Sequence, residues 1–125
     1  MSRLLLDTHV ALWWLEDAPL EAAASAALSD PDNDVVVSVV SHWEIAIKEA
    51  LGKLRPPSDY VVTLQDGDID DLPVRLVHVD ALRRLPLLHG DPFDRLLVAQ
   101  ARHERMTLVT RDPQVQRYDV DLLRA

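Results

Sequence analysis

Apolar positions along this chain follow two rhythms. Short leucine or β-branched runs alternate with longer stretches of helical spacing. Leu4, Leu5 and Leu6 predict a short buried strand over Arg3 to Leu6 that stops at Asp7. Val35 to Val40 is a β-branched run of strand length, and Thr107 to Thr110 is a shorter one. Between them, Val10 to Leu15 and the Ala-rich Pro19 to Leu28 read as helices, and Asp30-Pro31-Asp32-Asn33 reads as a turn. Ser41 is read as opening a helix through Leu51, closed by Gly52. Past Pro56-Pro57, a helix is expected over Asp59 to Gln65 and an acidic loop over Asp66 to Asp71. The alternation in Arg75 to Val79 predicts a half-buried strand. Pro92 to Arg105 reads as a long helix, Asp112-Pro113 as the start of a final turn or helix, and Tyr118 to Leu122 as an edge strand. Strands alternating with helices imply an α/β fold with a mostly parallel central sheet flanked by helices.

Composition narrows the function. A chain of 125 residues suits one compact domain over residues 1–125, and an apolar share of 48% is enough for a real core. With no cysteine, the chain has no disulfide framework, thiolate metal site or cysteine nucleophile. No apolar stretch approaches the length of a membrane span, and Asp7 cuts short the only N-terminal leucine run, so a cytoplasmic protein is expected. The net charge of -8 argues against loose, sequence-blind binding to nucleic acid, which depends on basic residues. Most arginines lie from Arg75 onward, so a local basic surface remains compatible with that balance.

The acids carry the chemistry. In open parallel α/β sheets, ligands bind outside the carboxyl ends of the strands. Asp7 follows the first strand, Glu44 lies one turn into the helix after the second, and Asp112 follows the Thr107 to Thr110 strand by two residues. Asp94 lies in the first turn of the long helix leading to that strand. Each also has a plainer use. Ser41 to Glu44 reads as a capping box, Asp91-Pro92 and Asp112-Pro113 as cap-then-proline pairs, and Asp7 as the cap of a helix beginning near Thr8. Single acids are more often caps, each worth ~1 kcal/mol. Four acids gathered at one end of a sheet would repel each other and resist ionisation unless a cation joined them. Hard oxygen donors without thiolates select Mg²⁺ or Mn²⁺.

Four segments occur in order: Leu5-Leu6-Asp7-Thr8-His9, Trp43-Glu44-Ile45-Ala46-Ile47-Lys48 with Leu51-Gly52-Lys53-Leu54, Asp91-Pro92-Phe93-Asp94-Arg95-Leu96, and Val109-Thr110-Arg111-Asp112. Together they resemble the PIN domain, and within it the VapC-like toxins of bacterial toxin–antitoxin pairs. The resemblance spans nearly the whole chain. It implies a PIN-like three-layer sandwich and a metal-dependent endoribonuclease that hydrolyses RNA phosphodiesters with a metal-activated water. It carries the family's acidic quartet onto Asp7, Glu44, Asp94 and Asp112 as catalytic and metal-binding residues, with Mg²⁺ as the ion and Mn²⁺ as a substitute. Thr8, and with it Thr110, takes the place of the family's small hydroxyl residue. Asp91 is an extra acid, read first as a helix cap and otherwise as an aid to the metal. The resemblance also implies an RNA substrate, a cognate antitoxin and a homodimer, for which Trp13-Trp14-Leu15 would be a suitable surface.

Weaker signals accompany the quartet. Lys48 follows Glu44 by four residues and reads as an ordinary helix pair. Arg95 and Arg111 neighbour site acids and suit either an ion pair or a phosphate. The five histidines have no zinc spacing and read as packing or surface residues. Trp43 reads as packing more than as a base-stacking platform. Two rival readings remain: a Mg²⁺-dependent phosphoaspartate protein, either a receiver or a small phosphatase, and a non-catalytic binding module whose acids are only caps. Against the phosphatase, the residue two after Asp7 is His9, where a second Asp would be wanted.

Overall fold

A computed structural model describes residues 1–125. Five strands form one parallel sheet: β1 (Arg3–Leu6), β2 (Asp34–Ser38), β3 (Asp70–Leu72), β4 (Thr107–Thr110) and β5 (Leu122–Arg124), in the order β3-β2-β1-β4-β5. The helices are α1 (Thr8–Leu15), α2 (Ala22–Ser29), α3 (Val39–Ala50), α4 (Tyr60–Asp66), α5 (Leu76–Leu82) and α6 (Pro92–Glu104), with a 3₁₀ turn at Val115–Arg117. The sheet is the middle layer of the α/β sandwich the sequence implied.

The apolar runs alternate between two cores. Leu4 and Leu6 of β1, with Val35 and Val37 of β2, pack with Val10, Ala24, Leu28 and Leu64 on one face. Leu5 and Val36 point the other way and join Leu97, Leu108, Met106 and Tyr118. Burial on both faces explains why the central strands read as continuous apolar runs.

This strand order places β1 in the centre. Chain growth proceeds outward through β2 and β3, then returns to start β4 on the other side of β1. The reversal leaves a crevice at the carboxyl ends of β1 and β4, the position where such sheets hold ligands. The backbone N–H of Asp7 donates to the Val109 carbonyl at 3.0 Å and ties the two strand ends together.

Several sequence expectations need correction. The segment Arg75 to Val79 is not a strand but enters α5. Its apolar residues Leu76, Val77 and Val79 are exposed while His78 is fully buried, so its alternation ran opposite to its burial. The supposed loop at Asp66 to Asp71 contains the start of β3, an edge strand that buries only Leu72. The final strand is Leu122–Arg124, not Tyr118 to Leu122. The Val35 to Val40 run is strand only to Ser38, and Ser38 caps α3 by accepting from the Val40 N–H at 3.0 Å. Ser41 is therefore inside the helix, and the capping box to Glu44 does not form. The second helix begins at Ala22, not Pro19. Gly52 does end α3 with a left-handed φ of 71°.

Candidate active site

The crevice is a cleft of about 300 Å³ whose lining includes Asp7, Glu44, Asp94 and Asp112. Four elements deliver these acids. β1 ends at Asp7, α3 carries Glu44 on its buried face, α6 carries Asp94 in its first turn, and Asp112 follows β4.

Local folding and the site share the same carboxylates. Oδ1 of Asp7 accepts from the Val10 N–H at 2.9 Å and caps α1, while Oδ2 accepts from the Thr110 hydroxyl at 2.5 Å. Oδ1 of Asp112 accepts from the Gln114 N–H at 2.8 Å, leaving Oδ2 toward the cleft. The Asp112 N–H donates to Thr110 Oγ1 at 3.1 Å, so Thr110 links the Asp7 and Asp112 segments. A carboxylate that caps with one oxygen keeps lone pairs on the other. The capping reading and the site reading therefore describe different atoms of one side chain.

Glu44 is 2% exposed, and both its oxygens are engaged. Oε1 accepts from the Thr8 hydroxyl at 2.6 Å, and Oε2 pairs with the Lys48 ammonium one turn along α3. Thr8 also lies 3.0 Å from the Ser41 hydroxyl. This arrangement satisfies a buried charge that would otherwise be costly. Lys48 is thus a counter-charge within the cleft wall, and its ammonium is held in the charged form above its usual range by Glu44 despite partial burial.

The acidic environment shows in the proton affinities. Burial raises Asp94 to about 7, with added repulsion from Asp91, Asp7 and Glu44. Burial likewise raises Asp7, against the hydrogen bonds from Thr110 and Val10 that favour its carboxylate. Ionised acids this close are stable only with a cation among them. Their oxygens match the preference of a hard divalent ion.

Asp91 is the cap expected of it: its Oδ1 accepts from the Phe93 and Asp94 N–H groups at 2.8 and 3.0 Å. Arg111 borders the cleft but is already employed. Its guanidinium lies 4.2 Å over the Trp13 ring and donates to the carbonyls of Ala125 and Pro19. Arg95 donates instead to the Leu85 carbonyl at 3.3 Å. Trp13, Trp14 and Leu15 of α1 are half-buried against the core. Trp43 is 57% exposed and edge-on to Phe93 with ring centroids 5.1 Å apart, so it is not a core residue.

One site residue escaped sequence reasoning. His89 reaches into the cleft from the loop before α6, with Nε2 2.9 Å from Asp94 Oδ2 and 3.4 Å from Asp112 Oδ2. Its spacing in sequence carries no signal, because its partners lie on separate elements. His9 also lines the cleft.

The profile of the PIN domain matches residues 4–121. The chain belongs to the PIN-domain family. It is 32% identical over 116 residues to Ribonuclease VapC22 of Mycobacterium tuberculosis, covering 90% of this chain and 88% of that protein. The fold recurs in the VapBC2 structure from Rickettsia felis bound to a promoter DNA fragment, with a TM-score of 0.74 at 16% identity over 98% of both chains. It recurs also in the DNA-bound VapBC structure from Salmonella typhimurium, with a TM-score of 0.69 at 12% identity over 99% of this chain and 98% of that one. Within the family, this PIN domain is VapC-like. No helix is long and apolar enough to cross a membrane.

Proposed function

We propose that residues 1–125 act as a single PIN-like domain, a Mg²⁺-dependent endoribonuclease in which Mn²⁺ substitutes for Mg²⁺, and the toxin of a toxin–antitoxin pair. The observation that carries this reading is the convergence of Asp7, Asp94 and Asp112 on one cleft, where burial and the neighbouring acids raise Asp94 to about 7. The 32% identical relative is named a ribonuclease, which supports RNA over DNA as substrate. The structural neighbours are complexes of a toxin with its antitoxin, which supports a small protein partner.

In this reading Asp7, Asp94 and Asp112 would hold the ion through the carboxylate lone pairs that their hydrogen bonds leave over. A bound divalent cation supplies an activated water and offsets charge on the leaving oxygen. Glu44 is already charge-balanced by the Lys48 ammonium, so it acts by orienting: it anchors Lys48 at the cleft wall and fixes Thr8. The Thr110 hydrogen bond opposes the effect of burial on the Asp7 carboxylate, and Asp91 fixes the start of α6 so that Asp94 faces the cleft. The phosphatase rival wants a second Asp two residues after Asp7, and that position is His9.

A homodimer in this reading uses the outer face of α3, where Val39 and Trp43 lie one turn apart and are 42% and 57% exposed. Light scattering of the purified protein should give twice the chain mass, and Trp43→Asp should return it to the monomer. A monomeric wild type rules out this surface.

The test of function is cleavage of a mixed cellular RNA pool, tRNA included, with Mg²⁺, Mn²⁺ or EDTA. Cutting should require the ion and vanish in Asp94→Ala. Cutting that survives EDTA or the substitution contradicts the site.

A further inference from the structure

His89 has no part in the acidic quartet, yet its side chain reaches the carboxylates of two of its members. Its Nε2 lies 2.9 Å from Asp94 Oδ2 and 3.4 Å from Asp112 Oδ2. Ligand atoms from these three residues all fall within 4.8 Å of one another. Donors sharing one ion at bond lengths of about 2.0–2.2 Å stand about 3–4.4 Å apart, so the three atoms nearly fit a single coordination sphere.

The loop that carries His89 is anchored. The Tyr118 hydroxyl accepts from the backbone N–H groups of Leu88 and His89 at 3.2 and 3.1 Å. Arg117 donates to the Leu88 carbonyl at 3.1 Å, and Tyr118 itself is buried. These contacts aim the imidazole at the cleft, where it is 19% exposed. A solvated surface histidine would not need such support.

We propose that His89 is a direct protein ligand of the divalent ion, making with Asp94 and Asp112 a mixed nitrogen–oxygen site. This rests on the metal-dependent reading above and adds a donor to it. The Asp91 N–H points at Nδ1 from 3.5 Å, which leaves Nε2 as the nitrogen that faces the two carboxylates. One imidazole among carboxylates favours Mn²⁺ over Mg²⁺, because nitrogen ligands strengthen binding toward later, softer ions more than hard oxygen ligands do.

The test combines Mn²⁺ and Mg²⁺ calorimetry with pulsed electron paramagnetic resonance of bound Mn²⁺, on the purified full chain. Wild type should show ¹⁴N coupling to the ion, and His89→Ala should lose it while keeping its circular dichroism spectrum. Mn²⁺ affinity should fall at least tenfold in His89→Ala, on the scale of losses at metal-site supports, with a smaller fall for Mg²⁺. A wild type without ¹⁴N coupling, coupling that persists in His89→Ala, or unchanged or tighter Mn²⁺ binding by the variant overturns the proposal. In those cases Mn²⁺ binding that disappears in Asp94→Ala would leave the acidic site standing. Absence of any saturable Mn²⁺ binding in wild type sinks both.

Discussion

Thr8 shows how the site is held residue by residue. Its hydroxyl bonds Glu44 at 2.6 Å inside a pocket where Glu44 is almost wholly buried. Thr8→Val keeps the shape and removes that donor, leaving one carboxylate oxygen short of a partner. The expected cost is about 1.5–3 kcal/mol, the range for a hydrogen bond to a charged group. Urea unfolding measures it, and a loss under about 0.5 kcal/mol would show that Lys48 alone satisfies Glu44. Asp94 supplies the pH dependence. Its folded value of about 7 lies above the ordinary 3.8, so the fold favours its protonated form. The stability tied to this preference is complete below about pH 4 and is lost as pH rises through about 7. Asp7 is displaced in the same direction. The metal-free protein should therefore lose melting temperature between about pH 5 and about pH 8, and Mn²⁺ should restore it at the upper end. Because the ion requires the carboxylate, Mn²⁺ affinity should rise over the same interval and level off past about pH 7. An affinity independent of pH in that interval would contradict the assignment of Asp94.

At the scale of elements, helix ends are where local preference and the fold disagree. Arg105 closes α6 in the left-handed region with φ 56° and ψ 47°. That conformation costs a side-chain-bearing residue about 1–2 kcal/mol, more than the ~0.5–1 kcal/mol that glycine loses to unfolded-state freedom. Arg105→Gly should stabilise the protein by about 0.5–1 kcal/mol in denaturant unfolding, and a net loss would mean that the Arg105 side chain contributes more than its exposure suggests. The same scale shows what was readable in the sequence. β1, β2, β4 and α6 were legible because apolar run length and cap chemistry agree with their burial. α5 was not, because Leu76, Val77 and Val79 face solvent while His78 is buried against Gln100, whose amide also reaches the Pro73 carbonyl and the Ser38 hydroxyl. A buried polar network on a helix with an apolar exterior inverts the signal that periodicity reads. β3 was hidden because an edge strand of three residues with Asp70 and Asp71 exposed looks like a loop.

Across the whole molecule, the strand order decides where chemistry can occur. Reversal at β1 brings the ends of β1 and β4 together, and the four acids predicted from sequence do meet at that crevice. Their convergence was inferable because strand-end acids need only the general rule for parallel sheets. His89 was not, since its place depends on a loop pinned by Tyr118 and Arg117 from a distant part of the chain. Asp7, Glu44, Asp91, Asp94 and Asp112 line the cleft, and a cation among them would offset part of the net charge of -8 where a nucleic-acid substrate would approach. The most direct test of that claim is anomalous diffraction from crystals of the protein soaked in Mn²⁺. The account predicts a peak in the cleft bordered by Asp7, Asp94 and Asp112, absent in Asp94→Ala crystals. A fully soaked crystal with no peak there, or with Mn²⁺ bound only elsewhere, would contradict it.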